Sequence, residues 1–216
     1  SRATVLGAIT VGSLSVNSAG AITQSGAMSV AGAVTFNSSN TNITLTNAVA
    51  AASASFSNTS GTVAFPGDLA LSTALVTTAQ AYNISITGTT NTLAGATTFL
   101  NTGSVTLNDG AGDTTTFTGG LTLTAPSALS LKGTVATTNA NLTLGDADTA
   151  ITITGSSNSP AVLNAGTGSI FLNGNVVGSG SNNPLQVITS GSGSTTLTGL
   201  NTAEIQLSSG VVTMAH

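Results

Sequence analysis

A repeat with a period near 21 residues constrains this chain more than any other feature. Apolar residues recur at Ile22, Ile43, Val63, Ile84 and Val105, separated by 21, 20, 21 and 21 positions. Leu121, Leu142 and Leu163 form a second series at a spacing of 21, with Phe99 22 positions before it and Leu185 22 positions after it. Met28, Val49 and Leu69 form a third. Three series of nearly equal period, offset within each repeat, predict the separate faces of one coil. Two longer segments also match: Phe99 to Gly110 is similar to Val162 to Gly174 at an offset of 63 to 65 positions, about three periods.

The residues around these positions say what kind of coil it is. Short alternations such as Ile43-Thr44-Leu45, Leu121-Thr122-Leu123, Leu142-Thr143-Leu144 and Ile151-Thr152-Ile153 are period-2 strand signals. The 26 glycines, with Ser, Thr and Asn where helix formers would sit, exclude a helical repeat. The period is too short for the four strands of a propeller blade, and Leu and Asn are not placed as in a leucine-rich repeat. The chain is therefore expected to be all-β: a parallel β-solenoid, or β-helix, of about ten coils of roughly 21 residues, three short strands per coil, continuous over 1–216.

Such a coil cannot bury its own apolar edge, so stability comes from stacking on its neighbours. Equivalent strands then lie about 4.8 Å apart, which makes a rod about 50 Å long. Inward Val, Ile, Leu and Phe are expected to stack as apolar ladders, and outward Thr and Ser as hydroxyl ladders. Gly and Asn suit the corners, which need φ > 0 or local side-chain hydrogen bonds. Pro66, Pro126, Pro160 and Pro184 all fall between apolar pairs, where a missing N–H breaks no ladder. Asn17, Asn37 and Asn58, about one period apart, predict a stacked asparagine ladder at one corner.

Composition narrows the function. Charged residues are 4% of the chain, against roughly 25% in an ordinary soluble domain. Six acids against Arg2 and Lys132 leave no basic footprint for nucleic acid or anionic lipid. The absence of cysteine removes disulfides, thiolate zinc sites and a thiol nucleophile. No apolar run is long enough for a transmembrane helix. The start, Ser1-Arg2-Ala3, has no initiator Met and no signal sequence, as expected of a mature or excised piece.

The acids are Asp68, Asp109, Asp113, Asp146, Asp148 and Glu204. Solenoids that cleave polysaccharides need clustered carboxylates, and Asp109 with Asp113 or Asp146 with Asp148 are the available pairs. Neighbouring Gly110, Gly112 and Gly145 read them instead as corner residues in solvated turns. Asn108-Asp109-Gly110-Ala111-Gly112-Asp113 also gathers hard oxygen donors, which makes Asp109 and Asp113 candidate calcium ligands. The motif departs from the tandem G-G-x-G-x-D of calcium-binding β-rolls and occurs once.

His216, the single histidine, lies at the chain end, a poor foundation for a Ser-His-Asp triad. Gly178 to Ser181 and Gly191 to Ser194 lack the lysine of a phosphate loop and read as turns or loop tips. Asn37, Asn42, Asn58, Asn83 and Asn141 begin N-x-S/T triplets, which mark glycosylation sites or arise by chance in so Asn- and Thr-rich a chain. The Thr-x-Thr pairs at Thr44/Thr46, Thr122/Thr124 and Thr152/Thr154 would suit ice only if successive coils set them on one face. No catalytic residue and no cofactor is expected, and the chain is read as non-enzymatic.

Thr78 to Ile86 and Asn139 to Asp146, with V-T-L and L-T-L strands throughout, resemble the filamentous-haemagglutinin-like passengers and related giant adhesins of bacterial surfaces. That resemblance covers nearly the whole chain. It implies a secreted parallel β-helix, extracellular at the bacterial cell surface, acting as a structural or adhesive fibre segment toward a host or neighbouring-cell surface or a glycan. The family's amino-terminal secretion domain and an outer-membrane barrel are not recognisable here, so no binding residue carries over. Ala3 to Leu14 and Ile205 to Met214 read as ordinary coils and not as caps. With little charge to protect strand edges, end-to-end self-association is expected, the chain being a segment of a longer solenoid or a subunit of a head-to-tail fibre. An ice-binding or carbohydrate-binding or -cleaving solenoid is the alternative.

Overall fold

The computed structural model describes residues 2–156, 159–178, 185–188, 193–198, 205–208 and 211–215. Its strands form three parallel sheets: sheet I opens with Thr4–Leu6, sheet II with Ile9–Val11 and sheet III with Leu14–Asn17. Among the described residues the sheets hold nine, ten and ten strands. The chain visits I, II and III in turn and repeats for about nine turns, so the protein is an all-β parallel solenoid of three strands per coil. At about 4.8 Å per step the stack is about 43 Å long, with its interstrand hydrogen bonds lying along the rod axis. No helix among the described residues is long and apolar enough to cross a membrane.

The first and third apolar series are true columns. Ile22, Ile43, Val63, Ile84 and Val105 stand in register in sheet I, and Leu129, Ile151 and Val176 extend the column. Met28, Val49 and Leu69 do the same in sheet II. The second series divides between two sheets. Leu121 and Leu142 pair in sheet III, but Ile170 comes next there, while Leu163 sits beside Val135 in sheet II. Leu185 also belongs to sheet II, beside Ala161, and Phe99 directly follows the sheet III strand Thr97–Thr98, two places beyond Thr97, the partner of Leu121.

The reason is that coil length is not constant. Steps along the sheet I column take 20 or 21 residues between Ile22 and Val105, then 24 to Leu129, 22 to Ile151 and 25 to Val176. The Leu142 to Ile170 step takes 28. Extra residues are absorbed at corners, such as the turn after Leu107 and the segment after Ile153, and the strands keep their register. For the same reason the two matching segments are not three coils apart, since Val105 is in sheet I and Ile170 in sheet III.

One side chain in two points inward along each strand, and these residues make a single apolar core. Within it Phe56 stacks on Phe36 at 5.8 Å and meets the edge of Phe65 at 5.6 Å. Phe99 and Phe117 meet edge to face at 6.2 Å.

Polar residues enter the interior at the corners, where stacked turns leave backbone groups to satisfy. Asn58 is buried; its Oδ1 accepts from Ser38 N at 3.4 Å, and its Nδ2 donates to Ser38 Oγ at 2.8 Å and to Thr41 O at 2.9 Å. The expected asparagine ladder is thus only two residues long: Asn17 pairs with Asn37, and Asn58 stands one column further in, over Ser38. Near the start of the sheet II strands Thr90–Leu93 and Thr114–Phe117, Asn91 Nδ2 donates to Thr115 Oγ1 at 3.1 Å, which donates to Asn108 Oδ1 of the preceding corner at 2.7 Å. Asn91 Oδ1 accepts from Leu69 N, and Asn108 Nδ2 donates to the carbonyls of Lys132 and Thr134. This network ties four successive coils together.

The turns stack so closely that some cannot carry a side chain. A Cβ on Gly103 would lie 2.4 Å from Tyr82 O, and one on Gly133 would lie 2.5 Å from Asp113 O with φ at +58°. Pro66, Pro126 and Pro160 lie outside strands as expected, and Pro184 lies outside the described residues.

Candidate functional site

The described acids sit in corners, where Asp113 and Asp146 serve their own turns. Asp113 Oδ2 accepts from Gly110 N at 2.6 Å and from Asp109 N at 3.2 Å, while Asp109 itself is exposed. Asn108, the third polar member of the proposed calcium loop, is buried with positive φ and spends its side chain on the interior network. The donors therefore do not converge: one carboxylate faces its own turn, one faces solvent, and the amide faces the core. No group of three or more His, Cys, Asp or Glu that could hold a metal occurs among the described residues.

Asp146 repeats the pattern, its Oδ1 accepting from Asp148 N at 3.2 Å and from Thr149 Oγ1 at 2.8 Å. Asp68 Oδ1 accepts from Thr90 N, one coil on, at 3.0 Å. Chemically these carboxylates pin backbone amides. Glu204 and His216 lie outside the described residues, as do 179–181 and 191–192 of the two Gly-Ser stretches.

Three of the N-x-S/T asparagines have a job that single-sequence reading misses. Asn42, Asn83 and Asn141 each use Oδ1 to accept a backbone N–H from the next coil: Thr62 at 2.9 Å, Ser104 at 2.8 Å and Ser169 at 2.9 Å. Asn58 is fully buried, and Asn37 Oδ1 accepts from Ser39 N in its own turn.

The predicted Thr-x-Thr pairs do not gather on one face in successive coils. Thr44 and Thr152 are in sheet I with four strands between theirs, and Thr122 is in sheet III. An aligned set exists elsewhere: Thr90 and Thr92 of sheet II stand beside Thr114 and Thr116, and Thr134 continues the first column. Finding it requires the 24-residue spacing of those two strands, which a constant period hides.

The outer surface of sheet II is the most distinctive face. Its central column runs Thr10, Ser29, Ala50, Ala70, Thr92, Thr116, one residue per coil, and Ala136 follows. Over the second to fifth coils this column and the residues at its margin line a shallow groove of about 440 Å³, mostly alanine, with hydroxyls from Ser29, Ser72 and Thr92. Sheet III, by contrast, raises Val76, 49% exposed, with Leu100, 45% exposed, at its margin.

Register, core and corners together define a β-solenoid repeat protein. Residues 1–57, the first three coils, match a family described as "Repeats of unknown function (DUF5649)". No curated protein and no solved structure matches the chain.

Proposed function

We propose that the chain is a structural or adhesive segment of an extracellular bacterial surface fibre, built for length and not for catalysis. The observation that carries the reading is the uninterrupted axial hydrogen-bonding of all three sheets around one core, with described carboxylates such as Asp68, Asp113 and Asp146 committed to backbone amides. A rod whose corner side chains hold its own turns and the coils beside them is built for shape. The resemblance to filamentous-haemagglutinin-like passengers supports the bacterial surface as its location.

The same geometry supports axial continuation, through a longer chain or by end-to-end self-association. The strands Thr4–Leu6, Ile9–Val11 and Leu14–Asn17 each have one strand neighbour, and Val5 and Val11 beside those edges are 65% and 40% exposed. A further coil would pair with these edges and cover Leu6, Ile9 and Leu14, which are only partly buried against the core. Electron microscopy of the purified chain tests this: filaments with an axial repeat near 4.8 Å are expected. Discrete rods about 43 Å long at every concentration would overturn the self-association.

A further inference from the structure

We infer that the Asp109–Gly110 peptide is a site of covalent rearrangement, aspartate to isoaspartate, and that the Asp113 carboxylate is the guard that holds it in check. The inference rests on this one corner and is independent of what the rod does.

The chemistry needs no partner. The glycine nitrogen attacks the carbon of the protonated aspartate carboxyl, an N–C bond forms, and one water leaves, made of the carboxyl hydroxyl and the amide proton. Water then adds back to the cyclic succinimide. Entry at the side-chain carbonyl restores aspartate; entry at the backbone carbonyl gives isoaspartate, with the chain routed through Cβ and Cγ. Nothing is oxidised or reduced, and the net change is an isomerisation. Glycine favours the step because it brings no Cβ to crowd the ring. Among the aspartates of the chain Asp109 alone is followed by glycine, and it is exposed.

Ring closure requires Asp109 to rotate and the Gly110 nitrogen to turn onto its carboxyl carbon. Asp113 opposes both movements. Its Oδ2 accepts from Asp109 N at 3.2 Å and from Gly110 N at 2.6 Å, so the peptide planes before and after Asp109 are held by one atom. A charged acceptor at that distance also keeps the proton on the nitrogen that has to lose it. Asp113 N donates to Gly110 O at 3.3 Å and closes the turn.

The corner is built to a fixed length, which is why rearrangement there matters. Isoaspartate adds one carbon to the backbone. On one side Gly133 of the next coil lies so near that a Cβ on it would meet Asp113 O at 2.5 Å and Gly110 O at 2.7 Å, and Thr134 N donates to Asp113 O at 2.8 Å. On the other, Asn108, at φ +62°, is pinned through Nδ2 to Lys132 O at 3.0 Å and Thr134 O at 2.9 Å. A longer turn gives up these contacts, so this peptide is a point at which the rod ages from one coil to the next.

Prolonged incubation of the full chain at neutral pH tests the assignment. Peptide mapping separates isoaspartyl from aspartyl peptides of equal mass, and enzymatic methylation counts isoaspartyl carboxyls. Asp113→Ala is expected to accumulate isoaspartate at position 109 about tenfold faster than the parent, the effect of freeing an amide from a charged acceptor. Asn42→Ala removes the acceptor of Thr62 N at a distant corner and should leave the rate unchanged. If Asp113→Ala loses its β-sheet circular dichroism, Asp113→Asn carries the test, since it keeps an acceptor oxygen and removes the charge; a severalfold faster rate is expected. Equal rates in parent and Asp113 variant would overturn the inference. So would slower rearrangement in the variant, which would make Asp113 the base that draws the proton from Gly110. Acceleration by Asn42→Ala as large as by the Asp113 variant would overturn it too, because general opening of the fold would then set the rate.

Discussion

Asn83 Oδ1 accepts two hydrogen bonds from Ser104, one coil further along the rod: its backbone N–H at 2.8 Å and its hydroxyl at 3.0 Å. A side chain thus replaces a strand partner where the ladder of sheet I begins. Asn83→Ala strands that amide and is expected to cost about 1 kcal/mol, since the site is partly open to water. Asn83→Asp keeps the acceptor, as Asp68 does for Thr90, and should cost less. Thermal unfolding of the two variants by circular dichroism checks the order; equal losses would mean that the acceptor is not what matters.

Phe56 touches aromatic rings on two sheets, so Phe56→Ala opens a cavity that the stacked coils cannot collapse. A loss of about 3–5 kcal/mol is expected. In a solenoid that loss should be local. Hydrogen exchange is predicted to accelerate in the coils holding Phe36, Phe56 and Phe65 while the column from Leu129 to Val176 keeps its protection.

Two glycine substitutions separate space from flexibility. Gly103→Ala drives a methyl to 2.4 Å from Tyr82 O, whereas Gly112→Ala meets nothing within 4 Å. The first should lower the melting temperature by several degrees, and the second should stay within about 0.5 kcal/mol of the parent. A large effect at Gly112 would contradict the packing described for that turn.

Asp113 holds the Asp109–Gly110 turn through two amides, so Asp113→Ala is expected to destabilise by about 1–2 kcal/mol, as for a lost turn or helix cap. Because that carboxylate is engaged and Asn108 faces inward, millimolar calcium should leave the parent melting temperature unchanged. A rise of several degrees, abolished by Asp113→Ala, would restore the calcium reading.

The parts of the fold legible in the sequence were those where coil length is constant. Ile22 to Val105 repeats at 20 or 21 residues, and reading that spacing forward assigns each residue to its sheet. Beyond Val105 the corners lengthen, so Leu163 reads as sheet III while it belongs to sheet II. Periodicity reports the strands, but corner insertions carry no apolar mark, and their length is what shifts the phase. The smooth face of sheet II was hidden for a related reason. Ala50 and Ala70 are unremarkable residues until register places them side by side. Asn42 and Asn83 likewise read as local triplets because their partners, Thr62 and Ser104, are a whole coil away.

The axial direction of the interstrand hydrogen bonds has a mechanical consequence. Pulled from its two ends, the rod loads each terminal coil before the next, and coils peel away singly instead of shearing together. A coil that occupies about 4.8 Å of the folded rod releases about 70 Å of extended chain when it goes. Such a molecule limits the force it transmits: it lengthens in steps under strain and can rewind each lost coil on the edge that remains.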